Sequence, residues 1–132
     1  MDPIKTVLID DNKAFRALVR EILQPEEDIH VLDEAGNFVQ AKNVLLKCKP
    51  DIALLDLSVG RSEGGLDFLK EKTSLDLPTN FIVLSNYEES QYAEKSLQAG
   101  AKGFVCKSKA VQCLADAIRS VHSKKEYISS IL

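Results

Sequence analysis

Five short runs rich in β-branched and other apolar residues alternate with longer segments whose apolar positions recur at i, i+3, i+4 and i+7. The runs predict strands at Lys5–Asp10, Ile29–Ala35, Asp51–Asp56, Asn80–Ser85 and Lys102–Cys106. The segments between them predict five helices. The first buries Phe15, Leu18, Val19 and Ile22, and the second Phe38, Ala41, Val44 and Leu45. A shorter third opens after Gly64-Gly65 and turns Leu66 and Leu69 inward. The fourth carries Tyr92, Ala93 and Leu97 and stops at Gly100, a residue suited to a left-handed helix end. The fifth presents Val111, Leu114, Ile118 and Val121 on one stripe.

Strand–helix repetition with short connections implies an α/β fold: a parallel sheet covered on both faces and wound by right-handed crossovers. Ile52–Leu55 and Phe81–Leu84 are almost continuously apolar, as strands buried on both faces should be. The second strand holds Asp33-Glu34 and suits an edge. The expectation is a doubly wound five-stranded sheet in the order 2-1-3-4-5 with five helices. Ligands of such sheets bind outside the carboxyl ends of the strands, at the switch point in strand order.

Those carboxyl ends carry the chemistry. The first strand closes on Asp10-Asp11, the third on Asp56, the fourth on Ser85 and the fifth runs into Lys107. Carboxylates at the ends of apolar strands are costly unless a cation or a reaction needs them. Hard oxygen ligands of this kind suit Mg²⁺. Asp11 and Asp56 would bind it directly and Asp10 through a water, with the Ser58 carbonyl a further oxygen. Asp56, alone on the central strand, is the candidate nucleophile for an aspartyl phosphate. Lys107 and Ser85 would answer the negative charge of the incoming phosphoryl group. Each residue alone has a plainer reading: helix-capping acids for Asp10-Asp11, a polar strand end for Asp56, a solvated lysine for Lys107. The conjunction on successive strand ends is what favours the chemistry.

Composition narrows the classes. With 132 residues and 45% hydrophobic content the chain has the material for one compact domain. A formal net charge of −3 argues against direct nucleic-acid binding by this segment. No apolar run approaches a membrane span and the amino terminus lacks a secretory signal, so a soluble cytoplasmic protein is expected. Cys48, Cys106 and Cys113 are odd in number and lack C-x-x-C spacing, and read as small hydrophobes in a reducing compartment.

The stretches Val7-Leu-Ile-Asp-Asp-Asn, Lys49-Pro-Asp-Ile-Ala-Leu-Leu-Asp-Leu, Val83-Leu-Ser-Asn-Tyr and Leu97-Gln-Ala-Gly-Ala-Lys-Gly-Phe-Val-Cys-Lys together resemble the receiver domain of bacterial two-component response regulators. The resemblance runs across nearly the whole chain. It implies a flavodoxin-like, CheY-like fold and phosphotransfer from a histidine kinase or phosphotransfer protein to Asp56, with Asp10 and Asp11 serving Mg²⁺. Such a domain catalyses its own Mg²⁺-dependent phosphotransfer and dephosphorylation rather than acting as a conventional enzyme. By the same carry-over Ser85 is the switch hydroxyl, Phe104 the switch aromatic and Lys107 the phosphoryl-pairing lysine. Ser108 after Lys107, and the tail Glu126-Tyr-Ile-Ser-Ser, look like the NarL/FixJ type. In that type a linker leads into a LuxR-type helix-turn-helix domain, so residues 1–122 are expected to form the receiver and 123–132 a tail or the start of a linker. DNA contact and transcriptional control would then belong to a further domain, and homodimerisation of the receiver fits the group.

The chain also departs from the family pattern. The loop Leu57–Gly65 is one residue longer and has Gly60 where proline is common. Asn86 stands where a smaller residue is frequent, and Ser58 and Tyr87 occupy positions that tune the lifetime of the phosphoaspartate. Tyr87 is expected to shield the acyl phosphate and slow its hydrolysis. These departures keep one rival in view, a docking or dimerisation module that works without phosphorylation. An FMN carrier on the same fold is disfavoured, because Asp10-Asp-Asn-Lys places negative charge where a phosphate loop would be.

Overall fold

A computed structural model describes residues 2–59, 64–75, 77–86 and 90–129. The elements, in chain order, are β1 (Ile4–Ile9), α1 (Lys13–Leu23), β2 (Ile29–Ala35), α2 (Phe38–Cys48), β3 (Ile52–Asp56), α3 (Gly64–Thr73), β4 (Asn80–Ser85), α4 (Ser90–Gln98), β5 (Gly103–Cys106), a single 3₁₀ turn at Lys107–Lys109, α5 (Ala110–His122) and β6 (Tyr127–Ile128). The strands form one parallel sheet in the order β2-β1-β3-β4-β5-β6.

Successive strand residues point to opposite faces, so each strand feeds two cores. Val7, Ile9, Leu55, Phe81, Val83 and Phe104 pack on one face with Ala41, Val44 and Leu45 of α2, Phe68 and Leu69 of α3 and Ala93 of α4. Leu8, Leu54, Ile82, Leu84 and Val105 pack on the other, with Val19 and Leu23 of α1 and Leu114, Ile118 and Val121 of α5. Every residue of β3 and β5 is buried, which explains the absence of polar alternation along Ile52–Leu55 and Gly103–Cys106. The more polar β2 lies at an edge, as its composition requires, and a bulge between Thr6 and Val7 in its pairing with β1 leaves Leu32 out of register and exposed.

Helix ends follow local signals. Asn12 caps α1 by accepting the Phe15 N–H at 3.0 Å, and Asn37 caps α2 by accepting the Gln40 N–H at 2.9 Å. At the end of α4 Gly100 has φ +110°, its N–H donates to the Leu97 carbonyl and that of Ala101 to the Ser96 carbonyl. This paired closure needs a positive φ, which glycine alone adopts without strain.

The sheet has six strands rather than five. Residues expected to form a tail turn back at Lys124, where φ is +71°, and lay β6 along the outer edge of β5. The N–H groups of Tyr127 and Ser129 donate to the carbonyls of Lys102 and Phe104, and the Cys106 N–H donates to the Ser129 hydroxyl at 3.0 Å. A two-residue strand has too few positions to show a period in sequence. It nonetheless covers part of the outer edge of β5 and shortens the run of unpaired backbone there. Two stripe residues are also displaced from the expected core. Val111 is 68% and Leu18 40% exposed, since each sits at the margin of its helix's buried arc, while Leu23 takes the inward place on α1.

Candidate metal and phosphoacceptor site

The register of the sheet sets the four strand ends at one height. Ile9 lies beside Leu55, Asp56 beside Leu84 and Ser85 beside Cys106, so Asp10, Asp56, Ser85 and Lys107 all emerge at the carboxyl edge. Asp10, Asp56 and Ser85 are buried there, whereas Asp11 is exposed. One carboxylate oxygen from each of Asp10, Asp11 and Asp56 lies within 4.8 Å of the others. Lys107 reaches over this group from the first residue after β5. Its Nζ donates to Asp10 Oδ2 at 3.0 Å and stands 3.5 Å from Asp56 Oδ2.

Among the described residues, three carboxylates stand against the Lys107 ammonium, an excess of negative charge in the pocket. Burial raises the Asp10 pKa above the ordinary carboxylate value. The Asn12 N–H pulls it down, the Asp56 charge adds to the rise, and the Lys107 ammonium opposes it. A divalent cation with a preference for hard oxygen would relieve this imbalance, and the donor set fits Mg²⁺ better than a softer metal because it holds neither sulfur nor imidazole.

The Ser58 side chain and N–H add contacts to Asp56. Its hydroxyl donates to Asp56 Oδ2 at 2.7 Å and its N–H to Asp56 Oδ1 at 3.3 Å, so it holds the candidate nucleophile directly. Phe104, the proposed switch aromatic, is fully buried against the α2–α4 side of the sheet, and its carbonyl accepts the Ser129 N–H. Gly60 and Tyr87 lie outside the described residues.

Three neighbours escaped the sequence reading. The Asn12 N–H donates to Asp10 Oδ1 at 2.8 Å while the same residue caps α1, coupling the acid to the helix behind it. Arg16, one turn into α1, donates to the Asp10 carbonyl and, at 2.7 Å, to Glu34. The Phe15 ring lies under Lys107, its centroid 4.2 Å from Nζ. An asparagine after an acid pair is a visible capping signal; nothing in the spacing of Phe15 or Arg16 announces a partner ninety residues away or on β2.

The response regulator receiver domain model matches residues 6–119. The chain belongs to that family. The oxygen regulatory protein NreC of Staphylococcus epidermidis is 32% identical over 126 residues, covering 95% of this chain and 57% of NreC. This receiver therefore spans little more than half the length of the curated relatives it matches. Among solved structures, the signal receiver domain of the putative response regulator NarL from Mycobacterium tuberculosis is 27% identical with a TM-score of 0.77, covering 90% of this chain and 98% of that one. The isolated receiver domain of RcsB from Salmonella enterica superposes with a TM-score of 0.88 at 21% identity, covering 97% and 94%, a likeness of fold. The receiver groups with the NarL/FixJ-like regulators. Among its described residues no helix is long and apolar enough to cross a membrane.

Proposed function

We propose that this receiver accepts a phosphoryl group on Asp56 from the phosphohistidine of a histidine kinase or phosphotransfer protein. The observation that carries the reading is the Lys107 ammonium, drawn 3.0 Å from Asp10 and 3.5 Å from Asp56 at the rim of a three-carboxylate pocket. Asp56 is a carboxylate held in place by the Ser58 hydroxyl and N–H, and as an anion it needs no separate base. The P–N bond to the donor histidine breaks as the bond from an Asp56 oxygen to phosphorus forms, and the imidazole leaves with the donor. Lys107 answers one phosphoryl oxygen and the Ser85 hydroxyl, at the end of β4, a second. Held by Asp10, Asp11 and Asp56 with the Ser58 carbonyl, Mg²⁺ would neutralise the remaining phosphoryl charge.

The same reading gives Ser85 and Phe104 the switch. Movement of Ser85 toward the phosphate alters the packing around Phe104, and through β5 the α4–β5–α5 face that a second copy or an output domain reads. The relatives' names speak of oxygen regulation and transcription. In a longer protein this receiver would control a DNA-binding domain in the cytoplasm. The test is intact mass after incubation with Mg²⁺ and a small acyl phosphate. Wild type should gain one phosphoryl group and Asp56→Asn none, while calorimetric Mg²⁺ binding should fall sharply in Asp11→Ala. A wild type that gains no phosphate would favour the phosphorylation-independent docking module instead.

A further inference from the structure

Lys107 has three described neighbours at its tip, two of them the carboxylates of Asp10 and Asp56. The third is the face of Phe15, 4.2 Å from ring centroid to Nζ. We propose that Phe15 is a positioning residue for phosphoryl transfer, its ring face keeping the Lys107 ammonium over the pocket once the acids are engaged elsewhere. The inference rests on the phosphoacceptor reading above and deepens it.

The three neighbours respond differently to a cation. A divalent ion on the acids takes up the negative charge that draws Lys107 in, and repels the ammonium as well. The aromatic ring is no ligand for a hard cation that seeks oxygen, so its attraction for the ammonium survives. Lysine is a compact charge on a flexible four-carbon stem, and without an anchor its tip would spread over many rotamers, most of them leading to solvent. The Lys107 side chain is only 11% exposed, which puts the interaction toward the stronger end for a cation over an aromatic face.

Phe15 is itself tied to the site it serves. Its N–H donates to Asn12 Oδ1 at 3.0 Å, and the Asn12 N–H donates to Asp10 Oδ1 at 2.8 Å. The ring is half-buried against the α1–α5 core, so its plane is fixed by packing as well as by the helix start. A leucine would cover the lysine's stem equally well and lack the negative face.

The experiment replaces Phe15 with a series of increasingly fluorinated phenylalanines, which weaken the ring's negative face with little change of shape, and adds Phe15→Leu. Two readouts are followed in the whole chain: the ring-current-shifted ε-methylene protons of Lys107 without metal, and the rate of phosphoryl uptake from a small acyl phosphate with Mg²⁺. The expected result is a stepwise fall in rate along the fluorine series, reaching about three- to thirty-fold for Phe15→Leu, with loss of the Lys107 shift in Phe15→Leu and unchanged melting across the fluorinated set. A flat series, with wild type still taking phosphate on Asp56, would overturn the role of Phe15 alone. No uptake by wild type would overturn this inference together with the reading it rests on. Unshifted Lys107 protons in wild type would overturn it as well.

Discussion

Replacing Asp10 by Asn should make the metal-free receiver more stable. Asp10 lies within 4.8 Å of both Asp11 and Asp56; at an effective dielectric constant near 20 the repulsion from buried Asp56 amounts to about 3.5 kcal/mol, and burial of the Asp10 carboxylate, the leading cause of its raised pKa, adds to that cost. The opposing attraction to Lys107 at 3.0 Å amounts to about 5.5 kcal/mol on the same scale. Because Asp11 is exposed its share is screened, and the asparagine oxygen can still accept from the Asn12 N–H and Lys107. The net gain is about 1 kcal/mol, or about half a molar in a urea midpoint. The raised pKa of Asp10 fixes the pH dependence. The folded carboxyl binds its proton more tightly than the unfolded one, so wild-type stability falls as pH rises from 3.8 through the raised folded value. Asp10→Asn lacks that fall; the two proteins should converge below pH 3.8 and separate fully above the raised value. Urea unfolding with a chelator present, repeated from acid to neutral pH, is the assay. Added Mg²⁺ should reverse the order by stabilising the wild type more. A neutral-pH destabilisation by Asp10→Asn in the chelator would refute the charge imbalance.

Other substitutions probe the supports of the site. A Cβ on Gly65 would stand 2.3 Å from the Leu57 carbonyl oxygen, so Gly65→Ala must shift the backbone beside Asp56; it should cost about 1–3 kcal/mol in thermal melts and slow phosphoryl uptake. Ser129→Ala removes the hydroxyl acceptor of the Cys106 N–H and should cost about 1 kcal/mol, with faster hydrogen exchange at Cys106 as the specific sign. Arg119 bonds Glu26 and Asp28, and its hydrogen bonds hold the Asp28 carboxyl below its ordinary pKa. That contribution is present above the ordinary value of 3.8 and lost as pH falls through the lower folded value, so Arg119→Ala should flatten the acid limb of stability.

Much of this was legible because strands write their burial directly. Ile52–Leu55 and Phe81–Leu84 read as interior strands from apolar continuity alone, and they set the height of Asp56 and Ser85. The parallel sheet followed from the alternation of elements and the edge place of β2 from its Asp33-Glu34, and the acids were visible because charge at the end of an apolar run is costly. What stayed hidden depends on contacts between distant positions. The pairing of β6 with β5 rests on backbone groups that no side-chain pattern reports. Phe15 looked like an ordinary inward residue of α1, and only the folded chain puts Lys107 above it. The direction of the Ser58 hydroxyl, toward Asp56 at 2.7 Å, is set by the turn after β3 and has no signature in composition.

The most direct test is to locate the phosphoryl group chemically. Borohydride reduction of the acyl phosphate formed in the presence of Mg²⁺, followed by peptide mass mapping, should convert position 56 alone to homoserine, and Lys107→Ala should lower its yield. Reduction at another acidic residue, or none in a wild type shown to be folded, would contradict the assignment of this pocket.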